Sequence, residues 1–233
     1  MHEGEVSRKL GVPGIPAAAE DCGTAREIAA AASLGAPIHI CHVSTKGSVE
    51  LIRDAKARGV RVTAETCPHY LLLTDQALES QDADYRMNPP LRTEEDRLAL
   101  IEGLLDGTLD AIATDHAPHS PEEKADFFKA PNGSIGMETS LAATLTALQG
   151  KLSLSEILEK MSVNPARILG IPGGTLREGT NADVVLFDPE KEWVVDPEKL
   201  HGKSKNTPFK GRKLKGKVVL TIFRGRVVYD ARC

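Results

Sequence analysis

Three short segments of this sequence set metal-capable or proton-transferring side chains within a few residues of one another. They are Cys41-His42-Val43-Ser44-Thr45, Glu65-Thr66-Cys67-Pro68-His69-Tyr70 and Asp115-His116-Ala117-Pro118-His119. Histidine and carboxylate are good zinc ligands, and a bound metal brings the pKa of water toward neutrality. An aspartate that reaches both metal and water can take the water's proton and pass it on. His119, four residues beyond Asp115, would point from the same loop at a substrate anion. Asn88-Pro89-Pro90-Leu91-Arg92 supplies an amide and a cation on a proline-stiffened loop. Taken singly these signals are weak. A lone histidine is more often a hydrogen-bonded structural residue, Asp-His can be a helix cap with its neighbour, and Asn88 alone reads as part of a rigid turn.

The elements around the three segments give them weight. Residues 37–43 form a short apolar run that reads as a buried strand. Ser44 and Thr45 can then cap a helix whose apolar positions Val49, Ile52 and Ala55 or Ala57 share one side, ending at Gly59. Residues 60–66 form a second β-rich run, closed by Pro68. Thr93, followed by Glu94-Glu95-Asp96, predicts a helix to about Leu105. Residues 109–114 form a third strand that runs straight into Asp115. Helices are predicted over 137–148 and 154–161. Strand, loop and helix in that order mean a parallel α/β sheet or barrel. Such folds gather reactive groups where strands end. Three successive strand ends therefore aim at one pocket, and the pattern favours a catalytic, metal-assisted cleft.

Upstream, residues 1–19 are rich in Gly and Pro, centred on Gly11-Val12-Pro13-Gly14-Ile15-Pro16, and read as a loop. Residues 20–34 have helical composition, with Gly35 as C-cap. After Pro165 the composition changes to turns and short strands. A second, smaller β-rich module is predicted from about residue 170. It ends in a hairpin of residues 218–222 and 226–229, separated by Phe223-Arg224-Gly225.

Composition excludes several classes of function. The chain has 233 residues, 41% hydrophobic and 27% charged, enough for one substantial domain or two small ones. A formal net charge of -4 leaves no basic footprint for nucleic acid, and 4% aromatic residues leave few platforms for stacking bases. No apolar run approaches the roughly 20 residues of a membrane span. The polar start, Met1-His2-Glu3-Gly4-Glu5, predicts no signal peptide. Cys22, Cys41, Cys67 and Cys233 form no CxxC pair. They read as reduced thiols of a cytoplasmic protein.

The motifs, taken together, resemble one family. His42-Val43-Ser44-Thr45, Glu65-Thr66-Cys67-Pro68-His69-Tyr70, Met87-Asn88-Pro89-Pro90-Leu91-Arg92 and Ala113-Thr114-Asp115-His116-Ala117-Pro118-His119 resemble the successive motifs of class I dihydroorotases, zinc amidohydrolases. Asn164-Pro165-Ala166-Arg167-Ile168-Leu169-Gly170, then Glu178-Gly179-Thr180-Asn181-Ala182-Asp183, resemble the exit of the amidohydrolase barrel into its small β domain. Asn206-Thr207-Pro208-Phe209 fits the same family. The resemblance implies an α/β fold: the C-terminal part of an amidohydrolase TIM (β/α)8 barrel, about strands 6–8, over residues 1–169. A β-sandwich-like satellite module would follow over residues 170–233.

It also implies roles. His42 would be a metal ligand at the end of the sixth barrel strand. Asp115, after the eighth, would be both metal ligand and catalytic acid/base. Asn88 and His119 would contact the cyclic substrate and its carboxylate. The backbone of Asn132 and Gly133 would hold the ring, although Asn132 departs from the family's usual apolar residue. His69 would be structural or support the ligands, since the family's seventh strand supplies none. The implied reaction is the reversible cyclisation of N-carbamoyl-L-aspartate to dihydroorotate in pyrimidine biosynthesis, with Zn2+ as cofactor. The implied partners are a second copy of the chain or a carbamoyltransferase.

The family's other ligands are a His-x-His pair, an acidic group from the fourth strand and a histidine from the fifth. No His-x-His occurs in this sequence. A complete barrel takes eight strands and about 250 residues, whereas three strands can be placed here. The expectation is therefore a chain that begins just beyond the fifth-strand histidine and has little or no activity by itself. Two other readings compete. A related cyclic amidohydrolase, such as an allantoinase or dihydropyrimidinase, shares the His-Val-Ser and Cys-Pro-His-Tyr-like segments. A non-catalytic, dihydroorotase-like partner of a carbamoyltransferase would explain the missing ligands.

Overall fold

The computed structural model describes residues 1–232; Cys233 lies outside the described residues. Along the chain run α1 (Glu5–Leu10), α2 (Ala17–Leu34), β1 (Ile38–Ile40), α3 (Lys46–Ala57), β2 (Val62–Thr66), α4 (Pro68–Leu72), α5 (Glu94–Leu105) and β3 (Ala111–Ile112). Then come α6 (Ser140–Leu148), α7 (Leu154–Leu158), α8 (Asn164–Leu169), β4 (Val184–Val194), β5 (Lys213–Phe223) and β6 (Arg226–Asp230). No helix among the described residues is long and apolar enough to cross a membrane.

β1, β2 and β3 form a parallel sheet in that order, with Ile38 beside Val62, Ile40 beside Ala64 and Thr66 beside Ile112. Val62, Ala64 and Thr66 are buried on one face of β2, while Thr63 and Glu65 on the other are only half-buried. The buried face packs on α3 and α5. Val49, Ile52 and Ala55 are fully buried, and Leu100 and Leu104 are nearly so. Each of these valine, isoleucine and leucine side chains contributes about 1.5–3 kcal/mol of burial. Ala57, the alternative apolar position on α3, is exposed.

The second sheet is antiparallel, in the order β4-β5-β6. Phe223 pairs with Arg226, so Arg224 and Gly225 alone make the turn, both at positive φ. This sheet meets α6 at Gly216, whose absent Cβ would lie 2.4 Å from Leu145 Cδ1. The backbone N–H of Lys215 donates to Thr146 Oγ1 at 2.9 Å. Phe209, Val195 and Leu214 join the same core as the parallel sheet.

The N-terminal loop expectation is corrected. Residues 5–10 are helical because Ser7 Oγ exchanges hydrogen bonds with the Gly4 backbone at 2.9 and 3.0 Å, and Gly11 takes the left-handed C-cap. The following helix starts at Ala17 rather than Glu20, behind the Pro16 N-cap. The helix expected over 137–148 starts only at Ser140. That over 154–161 passes into a π-helical turn at Glu159–Val163. There the buried Lys160 Nζ donates to the Leu109 carbonyl at 3.0 Å, and Asn164 Nδ2 donates to the Asp110 carbonyl at 2.9 Å. Both tie the turn to the approach of β3. Cys22 and Cys41 are exposed and Cys67 is buried, all as free thiols.

One polar network fixes the turn after β1. Glu20 accepts the Ser44 N–H at 2.8 Å, the Thr45 N–H at 3.1 Å and the Ser44 hydroxyl. Arg92, 4% exposed, lies 3.5 Å from Glu20, donates to Ser44 Oγ at 3.2 Å and donates to the Ile15 carbonyl at 2.8 Å. The cation of the Asn-Pro-Pro-Leu-Arg motif is thus spent inside the protein rather than offered to a ligand. Removing one partner of a buried ion pair strands the other charge, which costs about 3–5 kcal/mol. Glu20→Ala should therefore lower unfolding free energy by about that amount in urea titrations. A loss below about 1 kcal/mol, the range of a surface pair, would show that Glu20 does not hold this turn.

Candidate active site

All three strand ends open on the same edge of the parallel sheet. Val43 N–H donates to the Glu65 carbonyl at 2.8 Å, and Ala113 N–H donates to the Thr66 carbonyl at 2.9 Å. Thr66 Oγ1 donates to the Val43 carbonyl at 2.8 Å. These bonds continue the ladder past the last strand residues and set His42, Cys67 and Asp115 side by side. His42 has φ 40° and Asp115 φ 47°. Left-handed backbone at a non-glycine residue costs of the order of 1–3 kcal/mol and is typical of functional turns.

Asp115, His69 and Cys67 bring ligand atoms within 4.8 Å of one another. Burial raises the Asp115 carboxyl above its usual range; His42 opposes that rise and Glu65 adds to it. His69 follows Pro68 in the first turn of α4, is 3% exposed and packs edge-on against Tyr70. Its Nε2 is buried with no hydrogen-bond partner among the described residues. Burial first, then the neighbouring His42, lower its pKa to about 3, so the ring is neutral at neutral pH. Orphaned imidazole nitrogen beside a carboxylate is the donor chemistry that a zinc ion takes. The residues present fit a metal. The sequence reading gave His69 a structural or supporting place, yet the structure sets its free nitrogen in the same cluster as Asp115.

Beyond Asp115 the loops are clasped together. His116 Nδ1 accepts the Gly136 N–H at 3.1 Å, which turns it away from a ligand role. His119 Nε2 meets the Asn132 carbonyl at 3.0 Å, and its Nδ1 lies 3.5 Å from Glu123. Gly133, at φ 127°, leaves no room for a side chain, since a Cβ would lie 2.5 Å from Ala117 Cβ. Asn206 holds the clasp: its amide nitrogen donates to the carbonyls of Ala117 and Gly133, and its oxygen accepts the His119 N–H at 3.1 Å. The Asn88 segment joins through Gly133 N–H, which donates to the Arg86 carbonyl at 2.7 Å. Tyr70 Oη, donating to the Pro89 carbonyl at 2.6 Å, anchors its other side. Asn88 itself is exposed.

His42 lies near enough to Asp115 to act on its carboxyl by charge, but the ligand atoms that converge with Asp115 are those of Cys67 and His69. His119, Asn132 and Gly133 share one clasp of loops, tied to the Asn88 segment through the Arg86 carbonyl. Sequence reasoning missed Glu20 and Asn206, whose neighbours here are far away in the chain. A larger cleft of about 890 Å³ lies between α6 and the antiparallel sheet, but of the metal-capable strand-end residues only His116 lines it. Size does not locate the chemistry.

Residues 2–228 match the amidohydrolase family. Among curated relatives, the dihydroorotase of Syntrophus aciditrophicus (strain SB) is 55% identical over 232 residues, covering 99% of this chain and 54% of that protein. The dihydroorotase of Geobacter sp. (strain M21) is 54% identical over 233 residues, with 99% and 55% covered. The crystal structure of dihydropyrimidinase from Brevibacillus agri NCHU1002 superposes with a TM-score of 0.86 at 33% identity, over 91% of this chain and 49% of that one. L-hydantoinase from Arthrobacter aurescens gives 0.85 at 34%, over 91% and 49%. The chain spans about half the length of the curated relatives it matches.

His69 makes a measurable demand on pH. Its folded pKa of about 3 lies below the usual histidine value of 6.5. Between those values the unfolded chain binds the extra proton, so stability falls as pH drops from 6.5 toward 3. The slope from this group is up to about 1.4 kcal/mol per pH unit. In chelator-treated protein, His69→Leu should flatten that part of the stability–pH curve. An unchanged slope would mean that His69 is protonated in the fold.

Proposed function

The chain belongs to the amidohydrolase family, and from that premise we propose that it carries one half-site of a dihydroorotase. The observation that supports this most is the placement of His42 and Asp115 just past the ends of β1 and β3, on either side of β2, beside the loops that carry His119, Asn132 and Gly133. In this reading residues 1–169 are the part of a TIM-type barrel around strands six to eight, and residues 170–233 are its satellite module. The remaining ligands come from residues outside this sequence. The substrate pair is dihydroorotate and N-carbamoyl-L-aspartate.

His42 and Asp115 would hold the zinc ion, and the His69 ring nitrogen and Cys67 thiol lie beside the Asp115 carboxylate. The chemistry zinc supplies when bound is Lewis acidity, which polarises an amide carbonyl and makes water a nucleophile at neutral pH. Asp115 takes the proton from that water on a carboxylate oxygen and returns it to the amide nitrogen that leaves. A carboxyl raised by burial is better matched to that task than a solvated one. His119, oriented by the Asn132 carbonyl, donates a charge-assisted hydrogen bond to the substrate carboxylate. Asn88 and the Asn132-Gly133 backbone bind the ring, and Gly133 keeps that backbone accessible. The dihydropyrimidinase and hydantoinase neighbours leave a related cyclic amidohydrolase as the second reading. Higher identity to dihydroorotases than to those neighbours favours the first.

The test joins this chain to the remaining half of the Syntrophus relative. Asp115→Asn keeps shape but removes the base, and should lower turnover by about two to four orders of magnitude. A variant retaining a tenth of the activity excludes Asp115 as acid/base. His119→Ala should leave zinc content intact and cost about 1.5–3 kcal/mol of binding to dihydroorotate. The loss should be much smaller for a cyclic amide lacking the carboxylate. Equal losses for both substrates, or a drop in bound zinc, would remove His119 from the carboxylate site.

A further inference from the structure

His119 is the contact proposed above for the substrate carboxylate, yet both nitrogens of its ring are engaged within the protein. Nε2 lies 3.0 Å from the Asn132 carbonyl, and Nδ1 lies 3.5 Å from Glu123 Oε2. A carbonyl oxygen only accepts, so Nε2 carries a hydrogen and donates it to Asn132. The same nitrogen is enclosed from a second side, since a Cβ on Gly133 would stand 3.2 Å from it. The backbone beneath the ring is fixed as well, because the His119 N–H donates to Asn206 Oδ1 at 3.1 Å. Nδ1 is therefore the edge of His119 that an incoming carboxylate can reach.

A carboxylate already stands at that edge. Glu123 lies in the turn that follows His119, and its Oε2 accepts the Ser120 N–H at 2.8 Å. The Glu123 N–H donates in turn to Ser120 Oγ at 3.3 Å. This reciprocal Ser-x-x-Glu pairing is that of a capping box, built here on a turn rather than a helix. It aims one carboxylate oxygen at Nδ1 while the Glu123 side chain stays 55% accessible, against 20% for His119. Glu123 is thus tethered lightly enough to swing into water, and the histidine it faces is not. With a proton on Nδ1 the ring is a cation between two acceptors, which is the charge-assisted donor that a substrate carboxylate requires. Two carboxylates cannot share that one N–H, because like charges so close repel.

We propose that Glu123 is a resident stand-in for the substrate's carboxylate, holding the Nδ1 edge of His119 until an anionic substrate displaces it. The exchange is non-covalent: the Nδ1 proton stays on the ring, and Glu123 turns to solvent as the substrate oxygen takes its place. Glu123 is a positioning residue that acts through His119 and sets how tightly a carboxylate is accepted there. A ring without an anion leaves the pair undisturbed and gains nothing at this edge. Dihydroorotate as the anionic substrate rests on the reading above; the exchange itself needs only a carboxylate.

Two measurements test this. The first titrates the full chain, without metal, with succinate as the probe and follows long-range proton–nitrogen spectra of the histidine rings. The His119 signals are identified by their loss in His119→Gln. Succinate should move the His119 Nδ1 resonance and leave Nε2 in place. In Glu123→Gln the half-saturating concentration should fall about two- to fivefold, the range that a partly exposed ion pair supplies. Glutamine keeps an acceptor for the Ser120 N–H, so the turn is retained. The second follows dihydroorotate hydrolysis by the zinc-loaded mixture of this chain with the remaining half of the Syntrophus relative. There Glu123→Gln should lower KM by a similar factor and leave kcat within about twofold, because the competition acts on ground and transition states alike. A merely structural Glu123 predicts that glutamine changes neither constant. No succinate response in either chain, equal affinities in both, movement of Nε2 in place of Nδ1, or a KM that is unchanged or raised in Glu123→Gln overturns the proposal. A mixture that hydrolyses nothing counts against the dihydroorotase reading, and the succinate titration then decides this one.

Discussion

The site depends on a ladder of backbone hydrogen bonds that does not stop where the strands do. Val43 to Glu65 and Ala113 to Thr66 carry the parallel register one step beyond the regular strands. A shift of one residue in either pairing would turn His42 or Asp115 to the opposite face, because side chains alternate along a strand. The register is itself held from the buried side. Val62 and Ala64 fit against α3 and α5, and exchanging them with Thr63 and Glu65 would bury a carboxylate in that core. Apolar packing on one face therefore sets the chemistry on the edge.

Around that ladder the molecule places its charges according to what must be rigid. Glu20 and Arg92 are nearly sequestered, and together they secure Ser44 and Thr45, the residues that follow His42. Asn206 performs the equivalent task for the loops around His119, using neutral amide bonds. The only strained non-glycine residues among the candidate ligands are His42 and Asp115. Each is followed two residues on by a residue that one of these anchors holds, Ser44 after His42 and Ala117 after Asp115.

Much of this was legible in the sequence, for a physical reason. Residues 37–43, 60–66 and 109–114 read as strands by composition; the strands themselves are shorter, at Ile38–Ile40, Val62–Thr66 and Ala111–Ile112, so His42 and Asp115 stand just past their ends. Thr93 and Thr45 are capping residues whose hydrogen bonds to Asp96 and Ser48 are as local as their spacing implies. What was not legible is what depends on distant partners. Nothing near Arg92 in the chain announces that it would bind Glu20, so it read as a cation available to a ligand. Nothing near Asn206 names Ala117, Gly133 and His119 as its partners. Residues 5–10 read as loop because Gly and Pro flank them, yet two bonds between the Ser7 hydroxyl and the Gly4 backbone cap a helix there. For His69, burial could not be read from the sequence, and burial is what leaves its nitrogen unpaired.

The central claim is that this chain holds part of a metal-dependent cyclic-amide hydrolase site and is completed by residues outside it. Hydrolysis of dihydroorotate, measured for this chain, for the remaining half of the Syntrophus dihydroorotase, and for their equimolar mixture with zinc, tests that claim most directly. The expected result is activity in the mixture, silence from each part, and loss of activity on chelation. A mixture that forms a stable zinc-loaded complex yet hydrolyses nothing would contradict the claim. So would turnover by this chain alone at the rate of the mixture.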